Sequence, residues 1–190
     1  MNRRELIRQI ALLSGAAVIG GELFLSGCKR GDHAAEAGSG LFSASDIAFF
    51  DEFADAILPR TASPGARDAQ TGAFIAEFVR DCYEAEEQQV VQKAIPALND
   101  LSRSQYKKDF VQLSPEQRTA LLLKVAAEAK AQAERADAPP HYFTLLYQLT
   151  LLGFFTSEAG YTQVLRYEIV PGAYQACIDY EEGEKAWANP

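Results

Sequence analysis

Apolar residues recur at helical spacing along most of this chain, and no period-two runs of any length interrupt them. Ile47, Phe50, Phe53, Ala54 and Ile57 form a first stripe. Ser43 precedes it with Asp46 three residues on, an approximate capping box, so the pattern predicts a helix through Leu58. Pro59 stops it, and residues 60–70, which hold Pro64 and Gly65, read as a loop. Thr71 caps a second predicted helix with Phe74, Ile75, Phe78, Val79 and Cys82 on its apolar face. Cys82 lies one turn beyond Phe78 and is expected as a core thiol on that buried stripe. Glu84, Glu86 and Glu87 read as a solvated face. A third helix is predicted over 88–101, with Pro96 as a kink or break and Val91, Ile95 and Leu98 in the core. The stretch 106–110 has no assignable pattern.

Ser114-Pro115-Glu116-Gln117 is a strong helix start, an N-cap serine followed by proline and then the glutamine that completes the box. That helix is predicted to run to about Glu134 through Leu121, Leu122, Val125 and Ala129. Pro139-Pro140 introduces the last long helix, 141–155, which is apolar nearly all round. Such a helix belongs at the centre of a bundle or beneath a partner. The expected fold is therefore all-α, a small helical bundle. From 157 to 190 the texture changes: Val170-Pro171-Gly172 is a turn, and Tyr174, Cys177, Ile178, Tyr180 and Trp187 follow with no helical or strand period. This irregular aromatic tail either folds back on its own bundle or lies on another protein, where Trp and Tyr are the usual anchors.

The opening residues carry a different message. Arg3-Arg4 precedes a soft, Gly- and Ala-rich apolar run from Ile10 to Phe24, and Leu25-Ser26-Gly27-Cys28 closes it. Paired arginines ahead of such a run resemble a twin-arginine export signal, and small residues before a lone cysteine resemble a lipoprotein cleavage box. The run is broken by Glu22 and falls short of the roughly 20 apolar residues a spanning helix needs. The expected organisation is a signal peptide over 1–27, a flexible polar tether over 28–42 with lipidated Cys28 at its head, and one helical domain over 43–190. The expected location is periplasmic and membrane-tethered.

Charge narrows the partners. The chain carries 18 Lys and Arg against 26 Asp and Glu, a net charge of −8. Loss of Arg3, Arg4 and Arg8 with Glu5 and Glu22 makes the remainder one unit more acidic. Nucleic acid phosphates would repel it. Chemistry is sparse as well. There is no dinucleotide glycine motif, no nucleophile elbow and no Glu-x-x-His pair. His33 and His141 lack neighbours at metal-ligand spacing and read as solvated. With Cys28 lipidated, Cys82 and Cys177 are the remaining thiols, too few for an iron–sulfur cluster. In an oxidising compartment two pairings stay open: Cys177 to a partner, or Cys177 to Cys82. No cofactor site emerges.

The segment from Leu152-Gly153-Phe154-Phe155-Thr156-Ser157-Glu158-Ala159-Gly160-Tyr161-Thr162 through Leu165-Arg166-Tyr167-Glu168 to Val170-Pro171-Gly172-Ala173-Tyr174 resembles the signature of the gluconate 2-dehydrogenase subunit 3 family. Phe50-Asp51-Glu52-Phe53-Ala54-Asp55-Ala56-Ile57-Leu58-Pro59 resembles its opening helix, and Gly183-Glu184-Lys185-Ala186-Trp187 fits its ending. The resemblance implies a small, cofactor-free subunit of a membrane-associated sugar or sugar-acid dehydrogenase. It implies a large FAD-dependent partner of the glucose–methanol–choline type, exported on the small subunit's twin-arginine peptide, and in many cases a multihaem cytochrome c that takes the electrons. Phe154, Phe155, Tyr161, Arg166, Tyr167, Tyr174, Tyr180 and Trp187 are then the expected partner-binding residues. The Cys28 lipid box is not a general mark of the family. The alternative is a free-standing periplasmic lipoprotein that binds some other partner or ligand.

Overall fold

The computed structural model describes residues 40–135, 139–170, 172, 177, 179 and 181–188. Arg3, Arg4, Cys28, Tyr174 and Tyr180 lie outside the described residues. Helix α1, Ala44–Ile57, starts as its sequence dictates. The Ser43 side chain accepts the Asp46 N–H, and the Asp46 carboxylate accepts the Ser43 N–H at 2.8 Å. Its buried face is Phe49, Phe50, Phe53 and Ala54. Phe50 meets Phe42 edge-on at 5.1 Å, and Phe49 meets Phe110 at 5.1 Å.

Helix α2, Thr71–Cys82, departs from expectation at both ends. Thr71 is its first helical residue rather than its cap; the cap position is Gln70, with a left-handed φ of 51°. The Thr71 hydroxyl instead donates to the Ala66 carbonyl at 2.8 Å. A cap comes from α1: the Gly72 N–H donates to Asp51 Oδ1 at 3.0 Å. The buried face is Thr71, Gly72, Ile75, Ala76 and Val79. Phe74 and Phe78 are half-buried at its margin, and Cys82 is exposed, not a core thiol. The reason is rotational: the residues facing α1 follow the Thr71–Ile75–Val79 line, so the Phe74–Phe78–Cys82 line turns outward toward its last member.

Helix α3, Ala85–Tyr106, begins earlier and ends later than its periodicity indicates, and passes through Pro96 without a break. Glu84 and Glu87 form a reciprocal box at its start, so part of the acidic run caps a helix, where negative charge is favoured. Pro96 sits on the exposed side. Val91, Ala94, Leu98 and Ser102 are buried, while Ile95 is half-buried. Lys107, at φ 60°, ends the helix, and a single 3₁₀ turn, Phe110–Gln112, follows with Phe110 fully buried. Helix α4, Pro115–Ala133, carries the predicted Ser114–Gln117 box and buries Leu121, Leu122, Val125 and Ala129 as the pattern requires.

Helix α5, Tyr142–Phe155, touches all four other helices and forms the axis of the bundle. His141 is its N-cap, half-buried rather than solvated, with Nδ1 accepting the Phe143 N–H at 3.1 Å. Burial lowers the His141 pKa below its ordinary value, which keeps the ring neutral and able to accept. Gly153 lets α5 approach α2, since a Cβ there would fall 2.5 Å from the Phe74 ring. Beyond α5 the chain is more regular than its sequence pattern: Ala159–Val164 forms a π-helical turn. A Cβ on Gly160 would run into the backbone of Phe154, so that turn needs glycine at this point. Among the described residues there is no strand, only an isolated bridge between Arg166 and Trp187. No helix among them is long and apolar enough to cross a membrane.

Candidate partner-binding surface

The residues singled out in the C-terminal third divide into core and surface. Phe154 is only 3% exposed and packs against Ala54 and Ala66, so it holds the bundle together rather than facing a partner. The cause is its place on α5, on the inner side with Leu146, Thr150 and Gly153. Phe155, half-buried, sits edge-on to Phe154 at 5.1 Å and covers the same small cluster alongside Leu58, Ala69 and Val164. Tyr161 stacks obliquely on Tyr167 at 4.8 Å. Tyr167 is 41% exposed, and Ile169 and Val170 stand almost entirely in water at 83% and 80%. Leu152 and Tyr147 on α5 are also exposed.

Sequence reasoning missed Leu152, Ile169 and Val170. Ile169 and Val170 precede Pro171, and a residue before proline favours an extended backbone. An apolar pair without a helix to sit on was the available signal. A shallow cleft of about 390 Å³, lined by Thr162, Leu165, Arg166, Tyr167, Glu184 and Lys185, opens beside them. The Arg166 guanidinium lies 3.9 Å from the centre of the Trp187 ring and 3.6 Å from the Glu168 carboxylate. Cys177 and Cys82 are both exposed free thiols.

A second set of groups ties α1 to the loop that follows it, to the start of α2 and to α4. The loop after α1 folds back so that the Ala66 N–H donates to the Leu58 carbonyl at 2.9 Å. Asp68 pairs with Arg60 and accepts the Gly65 N–H at 2.8 Å. The hydrogen bond from Arg60, helped by Gly65, holds the Asp68 carboxyl below the usual range. Glu52 takes Arg67 of the loop at 2.6 Å and also the nearly buried Arg118 of α4. Arg118 further donates to the carbonyls of Phe110 at 3.3 Å and Val111 at 2.8 Å. Burial pushes the neighbouring Asp51 carboxyl upward, against the pull of the Gly72 N–H and Arg67. Asp51 and Glu52, adjacent on α1, therefore anchor three different parts of the chain: Asp51 the start of α2, Glu52 the loop and α4. Sequence reasoning noted this pair only within a resemblance.

Among the described residues no three of His, Cys, Asp or Glu gather where they could hold a metal ion. The exposed groups at the C-terminal face are aromatic and aliphatic, with mixed charges around the cleft. Such a surface is suited to contact with another macromolecule. No curated protein and no solved structure matches the chain significantly. The family model described as gluconate 2-dehydrogenase subunit 3 matches residues 44–172, from the first helical residue to the turn glycine. The ending 183–187 lies outside the matched stretch. The match covers every helix of the bundle and the π-turn, and the chain belongs to the gluconate 2-dehydrogenase subunit 3 family.

Proposed function

We propose that the protein is the non-catalytic small subunit of an FAD-dependent sugar or sugar-acid dehydrogenase of the glucose–methanol–choline type. In this reading it escorts the flavoprotein through twin-arginine export and holds it at the membrane by a lipid on Cys28. The observation that carries it is the family match across residues 44–172, since that family is named for a subunit of a dehydrogenase complex. The exposed Tyr167, Ile169 and Val170 support it, because apolar side chains standing in water are a contact surface awaiting a partner. FAD would reside on the large subunit, and a cytochrome c would be a further member of the complex.

The test is replacement of Arg3 and Arg4 by lysine in cells that make the complex. Dehydrogenase activity should then stay in the cytoplasm together with the flavoprotein. Undiminished periplasmic activity refutes the escort role. Replacing Cys28 by serine should move the complex from the membrane to the soluble fraction, because the acyl chains supply the anchoring free energy.

A further inference from the structure

Trp187 is the chain's single tryptophan, and it is held. Its ring lies 3.9 Å from the Arg166 guanidinium. The backbones of the two segments are paired as well. The Arg166 N–H donates to the Ala186 carbonyl at 2.8 Å, and the Ala188 N–H donates to the Arg166 carbonyl at 2.9 Å. One residue earlier, Lys185 Nζ donates to the Gln163 carbonyl at 2.5 Å. These links clasp 185–188 onto 163–166. The exposed Tyr167, Ile169 and Val170 leave directly from the clasp.

We propose that the Arg166–Trp187 clasp is a positioning element, formed in the free subunit, that fixes the direction of Tyr167, Ile169 and Val170 for docking on the dehydrogenase large subunit. This rests on the functional reading above. It also reassigns Arg166 and Trp187, which sequence reasoning placed among direct partner contacts. A residue that first stops moving on binding loses its freedom then; Tyr167, leaving a backbone already anchored at Arg166, has given up part of it beforehand. The guanidinium plane suits the role. Its face covers the indole while an edge reaches Glu168, which a lysine ammonium cannot reproduce.

The single tryptophan makes the clasp directly observable. In the free full-length chain, Arg166→Ala should shift Trp187 emission to the red, lower its anisotropy and raise its quenching by acrylamide. Arg166→Lys should do the same, and far-ultraviolet circular dichroism should stay at the wild-type value. Arg166→Ala and Trp187→Ala should each bind the flavoprotein subunit, purified from the wild-type complex, about tenfold more weakly. The double variant should be no weaker than either single one, because both break the same clasp, whereas two separate partner contacts would add. Unchanged Trp187 emission in Arg166→Ala overturns the clasp. Unchanged or tighter binding by a chain whose Trp187 is spectroscopically free, or additive losses in the double variant, overturns the positioning role. A wild-type chain that binds no flavoprotein overturns the functional reading and the docking role with it, while the emission spectra still decide whether the clasp forms.

Discussion

Gly72 and Asp51 meet so closely that the pair fixes how α1 and α2 lie together. A Cβ on Gly72 would come within 2.8 Å of the Asp51 backbone nitrogen, which cannot swing aside, and closer still to its carboxylate, which could move only by giving up the bond to the Gly72 N–H. Gly72→Ala should therefore cost about 1–3 kcal/mol, the usual penalty for overpacking a tight contact. Thermal unfolding monitored by circular dichroism reads this directly; a wild-type midpoint would show that the helices can separate without loss. The position is informative because its glycine serves neither flexibility nor a positive φ. It provides space for a carboxylate that caps a helix from 21 residues upstream. No local pattern could have announced it. Thr71 looks like a good cap by type, but its hydroxyl is taken by Ala66.

At the scale of elements, α4 shows what local sequence determines and α2 shows what it does not. Every part of the α4 start lies within four consecutive residues, and so it was legible, as was the central place of α5 from its uniform apolarity. Residues from different elements complete the rest. Arg118 joins α4 to Glu52 of α1 and to the Phe110 turn, so Arg118→Ala leaves Glu52 without one of its two guanidinium partners and takes the Arg118 donor from the Val111 carbonyl, while the Phe110 carbonyl keeps the Leu113 N–H. Glu52 keeps Arg67, so the expected loss is that of hydrogen bonds from a mostly buried charged group, about 1–3 kcal/mol. Replacing both partners, Glu52→Gln with Arg118→Met, should cost less, and chemical denaturation of the set checks the order. A smaller loss for Arg118→Ala than for the double variant refutes the account. His141 makes a second element-scale test. Its folded pKa lies below the ordinary value of about 6.5. As pH falls through 6.5 toward the folded value, the unfolded chain takes the proton first, so stability falls in that window and is intact above it. His141→Asn, a good cap without a titration, should unfold with a shallower pH slope between about pH 7.5 and 5.5. Identical slopes would place the pH dependence elsewhere.

For the whole molecule, bundle and tail make separable contributions. The buried clusters run from Phe42 to Phe154, and the furthest hydrophobic residue packed against either of them is Val164. The helical class and most of the core could be read from the 3.6-residue period because those helices bury their stripes against one another. The surface could not be read so well, because a sequence period says which side of an element is apolar and not which apolar residues stay in water. Phe154 and Ile169 illustrate both errors, one assigned to a partner and found buried, the other unassigned and found 83% exposed. The same division yields a prediction about the complex. A chain ending at Val170 keeps both buried clusters and everything packed on them, so its helical signal and unfolding midpoint should match the full-length protein. It loses Trp187 and with it the closure at Arg166, along with Cys177 and any covalent link that thiol makes to a partner. Co-purification with the flavoprotein should drop sharply although the bundle is intact. Non-reducing electrophoresis of the full-length complex separates the two contributions of the tail: a band at the summed mass attributes part of the attachment to Cys177, and its absence leaves docking to non-covalent contact. Undiminished recovery of the flavoprotein with the truncated chain would move the docking surface to the bundle, with exposed Tyr147 and Leu152 on α5 as the residues to change next.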